Sequence, residues 1–288
     1  MPSLTPNRAL ARIAAFSRCL FVAAVASSAL HAQHVTIAVD SGRPMSEAVR
    51  QLQKLTSIPI HYEDLQYYFA ADLQAPSPGV TGADVPKGGS FSVDVPVDLG
   101  GKLPDDLSVA TALNTVIAAA QAAGAVPGTF SVDSSHPGVF FVEPATHHTS
   151  TGSTVPTQPA LDTPVSISLQ EVRGIQVLDA IFQQVSQKTG SRFGHGMGTL
   201  DLAIPLSPKV SITATSEPAK FVLAKLLADV GGPSVTFSYM MLCGPNQRYY
   251  AFNIRNRRVL PLPAPSPPYS PPPLVPSGPR PGMSKKSN

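Results

Sequence analysis

The sequence predicts an α+β protein made of two tandem two-layer sandwich modules, each running roughly βαβ-βαββ, with a disordered proline-rich tail. Three observations predict it. The same succession of strand-like and helix-like apolar periods occurs twice along the chain. The composition, 43% apolar and only 14% charged, supports buried cores and argues against wholesale disorder. From Val259 onward there are 11 prolines in 30 residues, a density that excludes helix and sheet and favours polyproline II.

Residues 1–32 carry Arg8, Arg12 and Arg18, then the apolar run Cys19–Leu30, then small residues up to Ala32. This is the layout of a secretory signal peptide, and the run is too short to span a bilayer, which needs about 20 apolar residues. Export is therefore expected, to the periplasm or the exterior, with no transmembrane segment left after cleavage. The mature chain would keep one thiol, Cys243, so the fold must hold by burial without an internal disulfide. Three cations in the leader and three in the tail account for the net charge of +3 and more, leaving residues 33–258 at −3. A mildly acidic body of this kind argues against nucleic-acid binding.

The first module is expected over 33–144. Val35–Val39 alternates as a half-buried strand, and Met45, Ala48, Val49, Leu52 and Leu55 form a helical stripe with Ser46 as its N-cap. A short apolar stretch, Ile58–Tyr62, follows. Phe91–Val97 alternates again and leads into a helix faced by Val109, Leu113, Val116, Ile117 and Ala120, with Asp105-Asp106 ahead of it suited to capping and to the helix dipole. Gly124 stands where a left-handed cap belongs, and a hairpin pairs Thr129–Val132 with Val139–Glu143.

After a Thr/Ser/Pro-rich linker over 145–164, the second module is expected over 165–258. Val165–Leu169 is its first strand, and Val177, Leu178, Ile181, Phe182 and Val185 its first helical stripe. Ser191–Phe193 and Lys209–Ala214 follow. The second helix is faced by Val222, Leu223, Leu226, Leu227 and Val230 and stopped at Gly231-Gly232, and a hairpin pairs Val235–Met240 with Tyr249–Ile254. The extra residues of the first module fall in the Pro/Gly/Ala-rich stretch 65–90.

No reaction can be read from the chain. Cys243 has no sequence-adjacent base, His147-His148 lie in the linker, and no Cys-x-x-Cys, His-Glu-x-x-His or Gly-x-Ser-x-Gly occurs, so no catalytic, cofactor or metal residues are assigned. Gly194-His195-Gly196-Met197-Gly198 precedes a strand-like run, Leu200–Leu206, and reads as a surface loop rather than a phosphate cradle. The candidate interaction surface is Arg248, Tyr249, Arg255, Arg257 and Arg258. Strand alternation sets Tyr249 and Arg255 opposite the core face formed by Tyr250, Phe252 and Ile254.

The segments VTIAVDSGRPMSEAVRQLQKLTSIPIHY with SFSVDVPVDLGGKLPDDLSVATALNTVIAAA, and VSISLQEVRGIQVLDAIFQQVSQKTG with KVSITATSEPAKFVLAKLL, resemble the short N-terminal domain of secretins and TonB-dependent receptors. Val109–Leu113 and Phe221–Leu227 stand where that family has a Leu-x-x-Ala-Leu-x-x-Leu helix after a strand of alternating valines. The resemblance implies a non-enzymatic docking module that meets another envelope protein, such as a secretin or TonB-system component, and an oligomer is compatible with it. The chain departs from the family in that nothing after Val259 can build a barrel or pore. Two other readings stand beside it: the tail as an envelope spacer or polyproline ligand, and an enzyme with its site in the cleft between the modules.

Overall fold

A computed structural model of the protein describes residues 33–76, 83–195, 206–245 and 248–258. The expected signal peptide, the tail, most of the glycine loop and the Leu200–Leu206 run, save Leu206 itself, lie outside the described residues. In chain order the elements are β1 (Gln33–Ser41), α1 (Pro44–Leu52), β2 (Ile60–Glu63), β3 (Leu73–Gln74), β4 (Val85–Pro86), β5 (Gly89–Val97), α2 (Asp106–Ala122), β6 (Thr129–Asp133) and β7 (Phe140–His148). Then follow β8 (Thr154–Pro156), β9 (Pro164–Arg173), α3 (Gly174–Thr189), β10 (Arg192–His195), β11 (Lys209–Pro218), α4 (Ala219–Gly231), β12 (Val235–Cys243) and β13 (Tyr249–Arg258). The protein is mixed α and β with several sheets, in keeping with the α+β class.

The expected strands and helices form with local adjustments. α1 starts at Pro44, whose missing N–H costs nothing in a first turn, so Ser46 is inside the helix and is not its cap. Asp105 does cap α2: its side chain accepts from the Ser108 N–H, and Ser108 Oγ accepts in return from the Asp105 N–H. Gly124 takes φ 60° just after α2, whereas Gly232, at φ 57° and ψ −159°, leaves α4 outside the left-handed helical region.

Pairing is the same in both parts of the chain. β1 pairs antiparallel with β5, β2 runs parallel to β7, and β7 antiparallel to β6. Likewise β9 pairs antiparallel with β11, β10 runs parallel to β13, and β13 antiparallel to β12. In each half two helices lie between a two-stranded ribbon and a three-stranded sheet, so the expected two-layer sandwich is a three-layer one, the strands of each half being split into two sheets: α1 and α2 between β1·β5 and β2·β7·β6, and α3 and α4 between β9·β11 and β10·β13·β12.

The halves are not strung apart on a linker. β12 pairs in parallel with β2, Met240 opposite Tyr62 and Met241 opposite Glu63, fusing the two three-stranded pieces into one sheet of order β10-β13-β12-β2-β7-β6. Parallel neighbours point to the same face. Met240 and Tyr62 belong to the core of α1 and α2, while Met241 and Phe141 belong to the core of α3 and α4. The two helix pairs therefore cover opposite faces of the shared sheet.

Residues 145–164, expected as a linker, are built into this arrangement. β7 runs on to His148, β8 pairs with its far end, and the 3-10 turn Ala160–Asp162 buries Leu161 completely in the second core. The Thr/Ser/Pro composition hid this because the burial rests on three residues, Ala160, Leu161 and Thr163, of which only the first two are apolar.

Candidate interaction site

The chemistry-bearing residues divide between a closed joint and an open face. At the joint, the α4 N-terminus lies against the back of β7. Lys220 Nζ, with its side chain only 6% exposed, sits 2.6–2.9 Å from Asp162, Asp133 and Glu143, and 5.5 Å from the Phe141 ring centre. The first two carboxylates reach solvent; Glu143 is buried, and its Oε1 has no hydrogen-bond partner among the described residues. Desolvation, with the two other carboxylates beside it, pushes Glu143 up to about 7 against the pull of the lysine. Asp133 is held below the usual carboxylate range by Lys220, and its carboxylate neighbours keep Lys220 protonated.

Glu63, at the end of β2, accepts from the N–H groups of Ala160 (2.6 Å) and Leu161 (3.2 Å) and so anchors the 3-10 turn; full burial raises it to about 8. Its neighbour Asp64, wholly buried, accepts from the Tyr62 and Tyr67 hydroxyls (2.8 and 3.1 Å) and from the Cys243 N–H (3.3 Å) and pairs with Arg43, which also donates to the Cys243 carbonyl at 2.7 Å. His61 stacks on Tyr239 at 4.3 Å and accepts from the Tyr239 N–H through Nδ1; burial lowers it to about 3, so the ring stays neutral. Burial likewise pushes the Cys243 thiol up to about 12, the opposite of what a nucleophile needs.

The open face is the other side of β13. Tyr250, Phe252 and Ile254 enter the core as expected, and Tyr249, Ala251, Asn253 and Arg255 face away from it. Tyr249 is half-buried because its ring lies over Gly194, where an added Cβ would clash with the Tyr249 Oη. Asn253 is buried and donates to the Met240 carbonyl at 3.3 Å, so it serves the sheet. Arg248 is exposed beside the β10 edge, its carbonyl accepting from the Arg192 N–H at 2.6 Å.

The expected surface is not one patch. Six strand positions, about 20 Å, separate Tyr249 from Arg255. Arg255 lines a groove of about 330 Å³ between the end of α1 with the residues after it and strands β12 and β13, with Arg50, Gln53 and Lys54 from one half and Ser238 from the other. Partial burial and the like charge of Arg50 lower Arg255. Arg50 is itself held by Glu47 in a bidentate pair, and Gln53 donates to Ser238 Oγ at 3.0 Å. Arg257 and Arg258 stand at the end of β13, in register with Thr236 and Val235.

The joint residues Arg43, Glu63, Asp64, Glu143 and Lys220 were not expected from the sequence. A signal for them exists in the unbroken apolar runs Val139–Val142 and Tyr239–Cys243, because a strand apolar on both faces is covered on both faces. Polar groups adjoining such runs end up buried and must find partners. His148, assigned no role, hydrogen-bonds Asp72 at 2.8 Å through Nδ1, tying β7 to the insertion before β3. Among the described residues no helix is long and apolar enough to cross a membrane. Comparison of the chain with protein-family models, with curated proteins and with solved structures finds no match.

Proposed function

We propose that this chain is an exported, non-enzymatic envelope protein made of two tandem docking modules of the kind found at the N terminus of secretins and TonB-dependent receptors. Its work is to hold another envelope protein at a sheet edge. The observation that carries the reading is the recurrence, in both halves, of two helices between a two-stranded and a three-stranded sheet, with β6 and β10 the outer strands among the described residues. Strand edges offer unpaired backbone donors and acceptors to an incoming chain, and Arg248 and Tyr249 beside β10 are residue types that interfaces favour. The buried ionisable groups support the same reading, since Lys220 bonds Glu143 and Asp64 accepts from the Cys243 N–H across the joint, while Glu63 holds the connecting segment.

Two measurements test this. An alkaline phosphatase fusion, active only after export, reports the compartment; an inactive fusion, with the chain retained in the cytoplasm, defeats the proposal. A photo-crosslinking amino acid at Arg248, compared with one at exposed Leu99 in the other half, then reports contact in intact cells. Crosslinks from position 248 to a secretin or TonB-system protein support the reading, whereas equal yields at both positions count against a specific site.

A further inference from the structure

The joint between the halves is open-ended. Matching strands by their pairing makes β10 the equivalent of β2, β13 of β7 and β12 of β6. Both triplets appear in the same left-to-right order across the sheet, but β12 runs parallel to β2 whereas β6 runs opposite to it, and the helices lie on opposite faces. The operation relating the halves is a half turn about an axis across the strands combined with a shift along that axis. Such an operation does not close on itself. The internal joint uses a β12 edge and a β2 edge, and among the described residues it leaves over β6 and β10, one edge of each of the same two kinds.

We propose that the chain associates head to tail with further copies of itself, β6 of one molecule pairing in parallel with β10 of the next. The proposal rests on edge geometry and does not depend on export; at the β10 edge a further copy and a foreign partner exclude one another.

The helices point the same way. In the internal joint the first turn of α4 lies on the back of β7, with Phe221 5.6 Å from Phe141. A shift of 110 residues lays Leu113, Val116 and Ile117 of α2 over Leu223, Leu226 and Leu227 of α4, and puts Ala110 and Thr111 where Lys220 and Phe221 stand. The same shift replaces Phe141 and Glu143 by Ala251 and Asn253, which also face away from their own helices. One turn before Ala110 and Thr111, on the same side of α2, is Leu107, the most exposed large apolar residue described, at 76%. In the repeated joint Leu107 meets the half-buried Tyr249 and Ala251 of the next copy. The Lys220–Glu143 ion pair has no counterpart there, Ala110 and Asn253 taking those places. The contact between molecules is accordingly a weak, reversible version of the one inside the molecule.

Sedimentation velocity of the full chain over a wide concentration range tests this. The expected result is a mass average that climbs continuously past the dimer. Leu107→Asp spoils one end and Ala251→Asp the other, so each variant alone is monomeric, yet an equimolar mixture forms a dimer and stops, since one sound end of each remains. A wild-type chain that stays monomeric, or a dimer of fixed mass that mixing does not restore, overturns the proposal. If either variant fails to fold by circular dichroism, a Cys19→Ser chain with Leu107→Cys and Ala251→Cys replaces it. Oxidation then gives a ladder of dimers, trimers and longer species, and the absence of a ladder overturns the proposal equally.

Discussion

The back of the sheet is chemically different in the two halves, although the strands are paired alike. Behind β2 and β7 stand His61, Glu63, Phe141 and Glu143, all nearly out of water; behind β10 and β13 stand Gly194, Tyr249, Ala251 and Asn253, of which only Asn253 is fully buried. The first surface is covered by α4 of the other half, and among the described residues no helix stands in the equivalent place over the second. Covering one unit by its neighbour thus goes with larger side chains and paired charges, and leaving it open goes with glycine and alanine. The helix starts follow suit. α2 begins at an exposed, self-contained Asp105–Ser108 box, whereas the first N–H of α4, at Ala219, donates to the Thr163 carbonyl of the connecting segment at 3.0 Å.

The sharpest way to break this contrast is Lys220→Ala. It strips the cation from three carboxylates at once, one of them buried, and a buried pair that loses one partner costs about 3–5 kcal/mol. Urea unfolding is expected to show that loss, with Lys220→Ala,Glu143→Leu recovering part of it because no buried acid is then left bare. Arg255→Ala in the open groove should change stability by about 0.5 kcal/mol or less. Equal costs at the two sites would mean that the joint is not where the buried charge matters.

The second test uses pH. Glu63 and Glu143 bind protons more tightly folded, at about 8 and about 7, than at the ordinary carboxyl value of 4.5. Between 4.5 and those values the folded state holds the extra protons, so their contribution is fully present below 4.5 and is lost as pH rises through about 7 and then about 8. Melting temperature should therefore fall from mildly acidic to mildly alkaline solution. Glu63→Gln, which keeps an acceptor for the Ala160 N–H, should flatten the upper part of that fall. A profile unchanged in the variant would place the titration elsewhere.

How much of this was legible in the sequence follows from what each signal encodes. Period and caps encode local structure, so the strands at Val35 and Val165, the four helices, the Asp105 cap and both hairpins could be read directly. The inward face of β13 could be read for the same reason. The β12–β2 pairing could not, because two residues in register across some 180 positions leave no periodic trace. The buried cluster was hidden by the same fact: Lys220 looks like the polar flank of an amphipathic helix until a second sheet face is known to lie against it. The runs VFFV and YMMLC were the available clue, apolar on both sides where a module standing alone would show one.

A smaller effect separates the two helix starts. Asp105→Ala removes the acceptor for the Ser108 N–H, an exposed cap whose loss should lower the melting temperature slightly and fray only the first turn of α2. Hydrogen exchange should show faster turnover at Ser108 and Val109 with α4 unchanged. If α4 exchanged faster as well, the first turn of α2 would be coupled to the joint and the two helix starts would not be independent.

The smallest effect is expected from Gly194→Ala. By pairing, Gly194 is to Ala251 what His61 is to Phe141, so the alanine methyl is a small step from the open back face toward the covered one. The methyl would clash with the far end of the Tyr249 ring, its Oη, Cζ and Cε2, which must turn aside, and against that cost alanine is the better strand residue by about 0.5–1 kcal/mol. The two terms nearly cancel, leaving melting within a degree or two of wild type by that offset. What changes is where Tyr249 points, and a tyrosine driven off the face alters the surface without altering the fold. A variant that unfolds more easily by several kilocalories would mean instead that Tyr249 is locked in place, and that the back of β13 is as closed as the back of β7.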